Sequence, residues 1–191
     1  MRKRLIILAL IAVALVARAL PGTRTIDDAF ITFRYSRNLV EGQGFVYNSG
    51  VQTLGTTTPL FALTMAGISA ITGGQDFQWY AIAVSALADA LTCALLYLIA
   101  RRAIEADPIA ALPGLLWAIS PMSVTFAVGG METSVNVLWM VAATWFYATR
   151  TERSAEIGVG VCAALGLLTR VDAGLWIAPL FAFQLIERLL T

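Results

Sequence analysis

The stretch 79–102, WYAIAVSALADALTCALLYLIARR, is long enough as a helix to cross the hydrocarbon core of a bilayer, about 30 Å thick. It opens with Trp79 and Tyr80, which suit the membrane–water interface, and closes on Arg101 and Arg102, which mark a cytoplasmic end. Apolar runs of similar character recur along the chain, and 59% of its residues are hydrophobic. In lipid, each backbone N–H and C=O must find a partner inside its own segment, so such runs fold as helices. The expected fold is all-α: a polytopic transmembrane helix bundle of about six spans, with amphipathic juxtamembrane helices in a long first extracytoplasmic loop.

The chain starts MRKRLIILALIAVALVARALPG, and three basic residues before an apolar run fit a cytoplasmic start. Ala17-Arg18-Ala19 faintly resembles a signal-peptide cleavage site, but an uncleaved span is favoured because further spans follow. The run 59–74 holds about 14 apolar-type residues, roughly 21 Å of helix, which is short for a crossing. It is read as a second interfacial helix of the first loop, which spans 21–78. The segment 109–128 crosses back, kinked by Pro113 and Pro121, and Gly129 and Gly130 make a tight outer turn. Residues 132–148 return inward, 156–168 go out, and 174–186 come back. Both ends are then cytoplasmic, and Arg2-Lys3-Arg4, Arg101-Arg102, Arg150, Arg153 and Arg188 all fall inside. Counting 59–73 as a seventh span would place the Arg101 and Arg150 clusters outside, so it ranks second.

The long non-membrane stretch 24–60 concentrates polar chemistry that a chain with 13% charged residues has little of. Thr25 is placed to cap a helix with Asp27 and Asp28 in its first turn, where acids suit the helix dipole. Ile26, Phe30, Phe33 and Val40 recur at helical spacing as an apolar face. Asp27, Arg34, Asn38 and Glu41 fall near a polar one, and Gly42 and Gly44 stop the helix. Under this topology three polar spots share the outer face: Asp27 with Asp28, Glu132 after the Gly-Gly turn, and Arg170 with Asp172.

Some chemistries are excluded. The chain has no histidine, which removes histidine metal sites and histidine-based triads. A net charge of +1 argues against a nucleic-acid partner. Cys93 and Cys162 lie in apolar runs and read as small packing residues.

The run DDAFITFRYSRNLVEGQGFVYNSG, followed by TTTPL, resembles the first extracytoplasmic loop of the GT-C integral-membrane glycosyltransferases. That superfamily includes protein mannosyltransferases, lipid A aminoarabinose transferases and arabinofuranosyltransferases. GGMETS resembles its Gly-Met-Glu-Thr element and LTRVDAG its Leu-Thr-Arg-Pro-Asp-Gly element, in the same order. The family's proline is Val171 here, and the glycine stands one place later, at Gly174. The resemblance covers essentially the whole chain. It implies an N-terminal transmembrane module, 1–191, of a protein whose relatives carry a further C-terminal portion.

The resemblance also implies an enzyme of the cell membrane with its site facing outside. It would move a sugar from a polyprenyl-phosphate donor to a hydroxyl of a glycan, lipid or protein acceptor. Asp27 matches the family's loop acid, the general base that takes the hydroxyl's proton as it attacks the anomeric carbon. Asp28 is its charged neighbour, opposed by Arg34. Glu132 matches a second outer-loop acid, for acceptor binding or a divalent metal; no other cofactor is implied. Arg170 matches a basic position that holds the donor phosphate, since a guanidinium suits two phosphate oxygens at once. Its plainer reading is a turn pair with Asp172. The alternative for the whole chain is a non-catalytic membrane protein: a lipid-carrier-binding module or a small transporter, for which mid-span Asp89 is the hint.

Among weaker signals, Asp89 should face the bundle, either bonded to Ser85 or Thr92 one turn away or protonated. Arg18 is expected to snorkel or to help hold a phosphate. Tyr35 and Tyr47 have the chemistry to stack on a sugar, although loop tyrosines more commonly pack down on the membrane, and the 55–59 turn into the interfacial helix carries hydroxyls able to contact acceptor or phosphate.

Overall fold

The computed structural model describes residues 2–51, 55–149 and 153–190, and within them the chain is all-α, with a lone β-bridge between Asn48 and Val51. The helices are α1 (Arg2–Ala19), α2 (Asp27–Val40), α3 (Pro59–Thr72), α4 (Phe77–Ala100), α5 (Asp107–Ile119), α6 (Pro121–Val128), α7 (Thr133–Thr149), α8 (Arg153–Thr169) and α9 (Gly174–Leu190). A 3₁₀ turn, Val171–Ala173, leads into α9. Each stretch expected to cross folds as helix. By length and apolarity, however, Phe77–Ala100 and Val171–Leu190 are long enough to cross, and the pair α5–α6 counts as a third if taken as one broken span. The break falls at Ser120, where the axis bends by 45°. Pro113, expected to kink as well, lies inside α5.

The central element is α4, which packs on α1, α5 and α7. Its contact with α1 and α5 is made by small residues: Ala14, Ala90, Cys93, Ala110 and Ala118 are buried together. Small side chains let helix backbones close on one another, the main source of attraction where lipid is as apolar as protein. Gly114 marks the closest approach, for a Cβ there would lie 2.5 Å from the Cys93 carbonyl oxygen. Cys93 and Cys162 are both buried free thiols, in keeping with packing roles.

Polar bonds tie this apolar bundle together. Arg18 is fully buried, and its Nε meets Asp89 Oδ2 at 2.9 Å. Its other nitrogens donate to the Ala118 carbonyl and to Ser123 Oγ, the latter at 2.8 Å. Asp89 also accepts from Trp117 Nε1 at 2.9 Å and from Ser134 Oγ at 3.0 Å. So Arg18 neither snorkels nor reaches a phosphate. Asp89 does not bond Ser85 or Thr92, whose hydroxyls donate to the carbonyls of Met131 and Ala88. Its carboxylate is already met by a charged donor, which makes the stronger kind of hydrogen bond, and by donors that α5 and α7 bring to it.

The bundle has two distinct ends. At one, Arg101 pairs with Asp107 at 2.9 Å, and Arg2 approaches the same carboxylate at 3.9 Å. Where α7 and α9 finish and α8 begins, Tyr147 donates to Glu187 and Arg188 pairs with Glu156, each at 2.6 Å. The other end carries α2, α3 and the starts of α4, α7 and α9. Arg150 and the side chain of Arg153 lie outside the described residues. Helix α3 begins and ends beside the rest of the first loop: Thr58 bonds Thr32, and just past its far end Gln75 donates to Glu41 at 3.4 Å.

Candidate active site

The acidic helix is positioned by backbone. Arg24 N donates to the Val128 carbonyl at 3.1 Å and Ile26 N to the Gly129 carbonyl at 2.9 Å. This docks the chain before α2 on the Gly-Gly turn. Both glycines are required there. A Cβ on Gly129 would lie 2.9 Å from the Thr125 carbonyl oxygen as well as against the Ile26 side chain, and Gly130 has φ +79° and faces the Phe33 ring. The same docking explains why Ile26, and not Thr25, is the N-cap of α2: its extended backbone runs along the turn and no side chain caps the helix.

On α2, Phe33 is buried and stacks on Phe77 with ring centroids 6.0 Å apart, while Ile26, Phe30 and Val40 are apolar side chains on the surface of the bundle. Asn38, expected on the polar face, is buried and donates from Nδ2 to the carbonyls of Val46 and Tyr47 at 2.7 and 2.9 Å. The return loop needs those donors because its carbonyls have no sheet or helix to satisfy them.

The inner face of α2 carries hydroxyls. Thr32 Oγ1 lies 3.0 Å from Thr58 Oγ1, which lies 3.1 Å from Thr56 Oγ1. Tyr35 accepts from Gly55 N at 2.7 Å. These bonds bring the 55–58 turn against α2, and between them and the starts of α7 and α9 opens a cavity of about 320 Å³. Its walls include Asp28, Thr32, the turn 55–58, Met131, Glu132 and Arg170. Residues more than 100 positions apart in the chain thus meet at one hollow.

Arg170 is held by two carboxylates. Its Nε and Nη2 each donate to Asp172 at 2.8 Å, and Nη1 donates to Glu132 Oε1 at 2.7 Å. A guanidinium has five N–H donors, so hydrogens on Nη1 and Nη2 remain for a ligand. Glu132 is buried, and burial pushes its carboxyl above the ordinary 4.5 against the pull of its backbone hydrogen bond and of Arg170. The Asp172 hydrogen bonds, chiefly, raise Arg170 further, so it stays charged. With Glu132 ionised the trio carries a net −1; with Glu132 protonated it is neutral.

Asp28, Glu132, Arg170 and, through its ion pair, Asp172 are therefore brought together. Asp27 and Arg34 are not among the cavity's walls. Successive helix residues point about 100° apart, so Asp27 is exposed on the outer side of the first turn. Arg34 is turned to the return loop, where Nε donates to the Tyr47 carbonyl at 3.0 Å. Among the described residues no three metal-ligating side chains converge, and Glu132 and Asp172 both face a guanidinium. That donor set does not fit a resident divalent metal. The threonines are the part that sequence reasoning weighted least. Thr56-Thr57-Thr58 stood out as a polar run, but a single Thr32 inside a helix gives no signal of its own.

Comparison with known proteins agrees with the GT-C resemblance. Residues 56–191 match the model of the dolichyl-phosphate-mannose-protein mannosyltransferase family. The match takes in the threonine turn, Glu132, Arg170 and Asp172, while the acidic helix precedes it. No curated protein and no solved structure gives a significant match. With a family model covering most of its length, the chain belongs to the dolichyl-phosphate-mannose-protein mannosyltransferase family of membrane glycosyltransferases.

Proposed function

We infer that the chain moves a sugar from a polyprenyl-phosphate donor to an acceptor hydroxyl in the cavity between α2, the threonine turn and Arg170, on the extracytoplasmic side of the cell membrane. The observation that carries this reading is that Asp28, Glu132 and Arg170 wall one cavity of about 320 Å³. That volume is on the scale of a small-ligand site. It holds a carboxylate for a proton and a guanidinium for a phosphate, the two groups such a transfer needs.

The roles follow from the chemistry. The acceptor oxygen attacks the anomeric carbon, and its proton passes to a carboxylate of the acidic helix. The bond from the anomeric carbon to the phosphate oxygen breaks, and the electron pair leaves with the polyprenyl phosphate. Arg170 holds that phosphate through its remaining N–H groups, with the threonine hydroxyls as further donors. The resemblance of the acidic motif implies Asp27 as the base. The cavity favours Asp28, which lines it. The transporter reading loses its hint, because Asp89 is fully buried and already bonded to Arg18, Trp117 and Ser134.

The test is transfer from radiolabelled polyprenyl-phosphate mannose by membranes containing the chain. Asp28→Asn is expected to lower the rate by about 10²-fold or more, the usual worth of a general base. Asp27→Asn is expected to cost much less. Full transfer by Asp28→Asn would remove it as the base, and the reverse ranking would return the role to Asp27.

A further inference from the structure

Beside the polar cavity lies a second hollow of about 340 Å³, walled by Ile31, Tyr35, Tyr47, Asn48, Val51 and Gly55. Ile31 and Gly55 belong to both hollows, so the two adjoin. The second is mostly apolar and aromatic, with one side-chain amide. That combination of a flat ring and a few polar groups is what small-molecule sites use to hold and orient a ligand.

Tyr47 is built into place from several sides. The Arg34 guanidinium lies over its ring, 5.3 Å from the centroid. The Tyr35 ring packs 6.0 Å away, and Phe45 packs on Tyr35 at 5.0 Å. Its carbonyl accepts from both Arg34 Nε and Asn38 Nδ2. The turn that follows is closed by the Val51 N–H on the Asn48 carbonyl at 3.1 Å, with Gly50 at φ +80°. Yet 39% of Tyr47 stays exposed. The ring is pre-oriented at little further entropy cost to a ligand.

We propose that this second hollow is an acceptor subsite that takes a sugar ring, stacked on Tyr47 and hydrogen-bonded by the Asn48 amide, so that the acceptor is a glycan. The apolar C–H face of a pyranose or furanose covers an aromatic ring, and its hydroxyls need an amide that both donates and accepts. The ring bound there presents a hydroxyl across Ile31 and Gly55 to the polar cavity. Arg34 then acts as a positioning residue for Tyr47. The proposal rests on the transferase reading for the name acceptor; the sugar binding itself does not.

The experiment is saturation-transfer NMR on the whole chain in nanodiscs, with methyl pyranosides and methyl furanosides as probes. A serine tripeptide and a phosphoglycerol headgroup are the non-sugar controls. At least one glycoside is expected to bind while both controls stay silent. Its affinity is expected to fall about fivefold or more in Tyr47→Ala, the scale of one lost aromatic contact, and to be retained in Tyr47→Phe. Asn48→Ala, which leaves the aromatic stack in place, is expected to weaken binding too. Circular dichroism checks that each variant is folded.

No response from any glycoside with the wild-type chain overturns the proposal. So does unchanged affinity in both Tyr47→Ala and Asn48→Ala, or a response from the peptide or headgroup instead. The two readings fail separately. Glycoside binding with no sugar transfer under any condition leaves the subsite and removes the transferase. Transfer to a simple alcohol with no glycoside binding does the opposite.

Discussion

Arg170 spends three hydrogen bonds on Asp172 and Glu132, and the consequence depends on the protonation of one of them. A sugar phosphodiester carries one fixed negative charge. It meets a neutral trio when Glu132 is protonated and a trio of net −1 when Glu132 is ionised. Burial raises the Glu132 carboxyl, so it gains its proton at a higher pH than a free glutamate does. Donor affinity is therefore expected to weaken as pH rises through that raised value. Glu132→Gln should bind donor with a flat profile over the same range. Titrating polyprenyl-phosphate mannose against both proteins from pH 4.5 to 8 checks this; identical profiles would show that Glu132 does not set the charge of the site. Glu132 and Arg170 were both legible as site candidates, because charged residues beside glycine turns stand out in an apolar chain. Their mutual contact was not, since 38 residues separate them.

At the scale of elements, the bond between α1 and α4 is the ion pair Arg18–Asp89, with no exposure on either side chain. Removing one partner strands a buried charge and costs about 3–5 kcal/mol, whereas replacing both with apolar residues is often close to neutral. Asp89→Leu is thus expected to lower the melting temperature in detergent sharply, and Arg18→Met/Asp89→Leu to recover most of it. A double variant as unstable as the single one would mean that Trp117 and Ser134, whose donors lose Asp89, matter more than the charges. Gly114 works on the same interface from the steric side. Gly114→Val pushes a side chain into the backbone of α4, and overpacking of this kind costs about 1–3 kcal/mol. Thermal unfolding of that variant, with Leu112→Val at an exposed position of the same helix as the control, measures it.

For the whole molecule, the arrangement puts the polar cavity at one end of the bundle and Arg2, Arg101 and Asp107 at the other. Thr57→Cys is expected to react with an impermeant maleimide on intact cells, and Glu105→Cys only after the membrane is opened. The native thiols at 93 and 162 are buried and should stay silent. Reversed labelling would invert the topology and place the site inside. What could be read along the chain was what short-range physics governs. Apolar runs of helical length made an all-α membrane protein, the glycines at 129 and 130 a turn, and the ordered acidic and basic motifs a glycosyltransferase family. Contacts between distant segments decided the rest: that Asp28 rather than Asp27 faces the cavity, that Asn38 turns inward, that Arg18 closes on Asp89, and that Arg34 backs Tyr47. Helical periodicity says which residues share a face, but not which face a neighbour will cover. That choice belongs to backbone bonds such as Ile26 to Gly129, which fix the rotation of α2 and join residues more than a hundred positions apart.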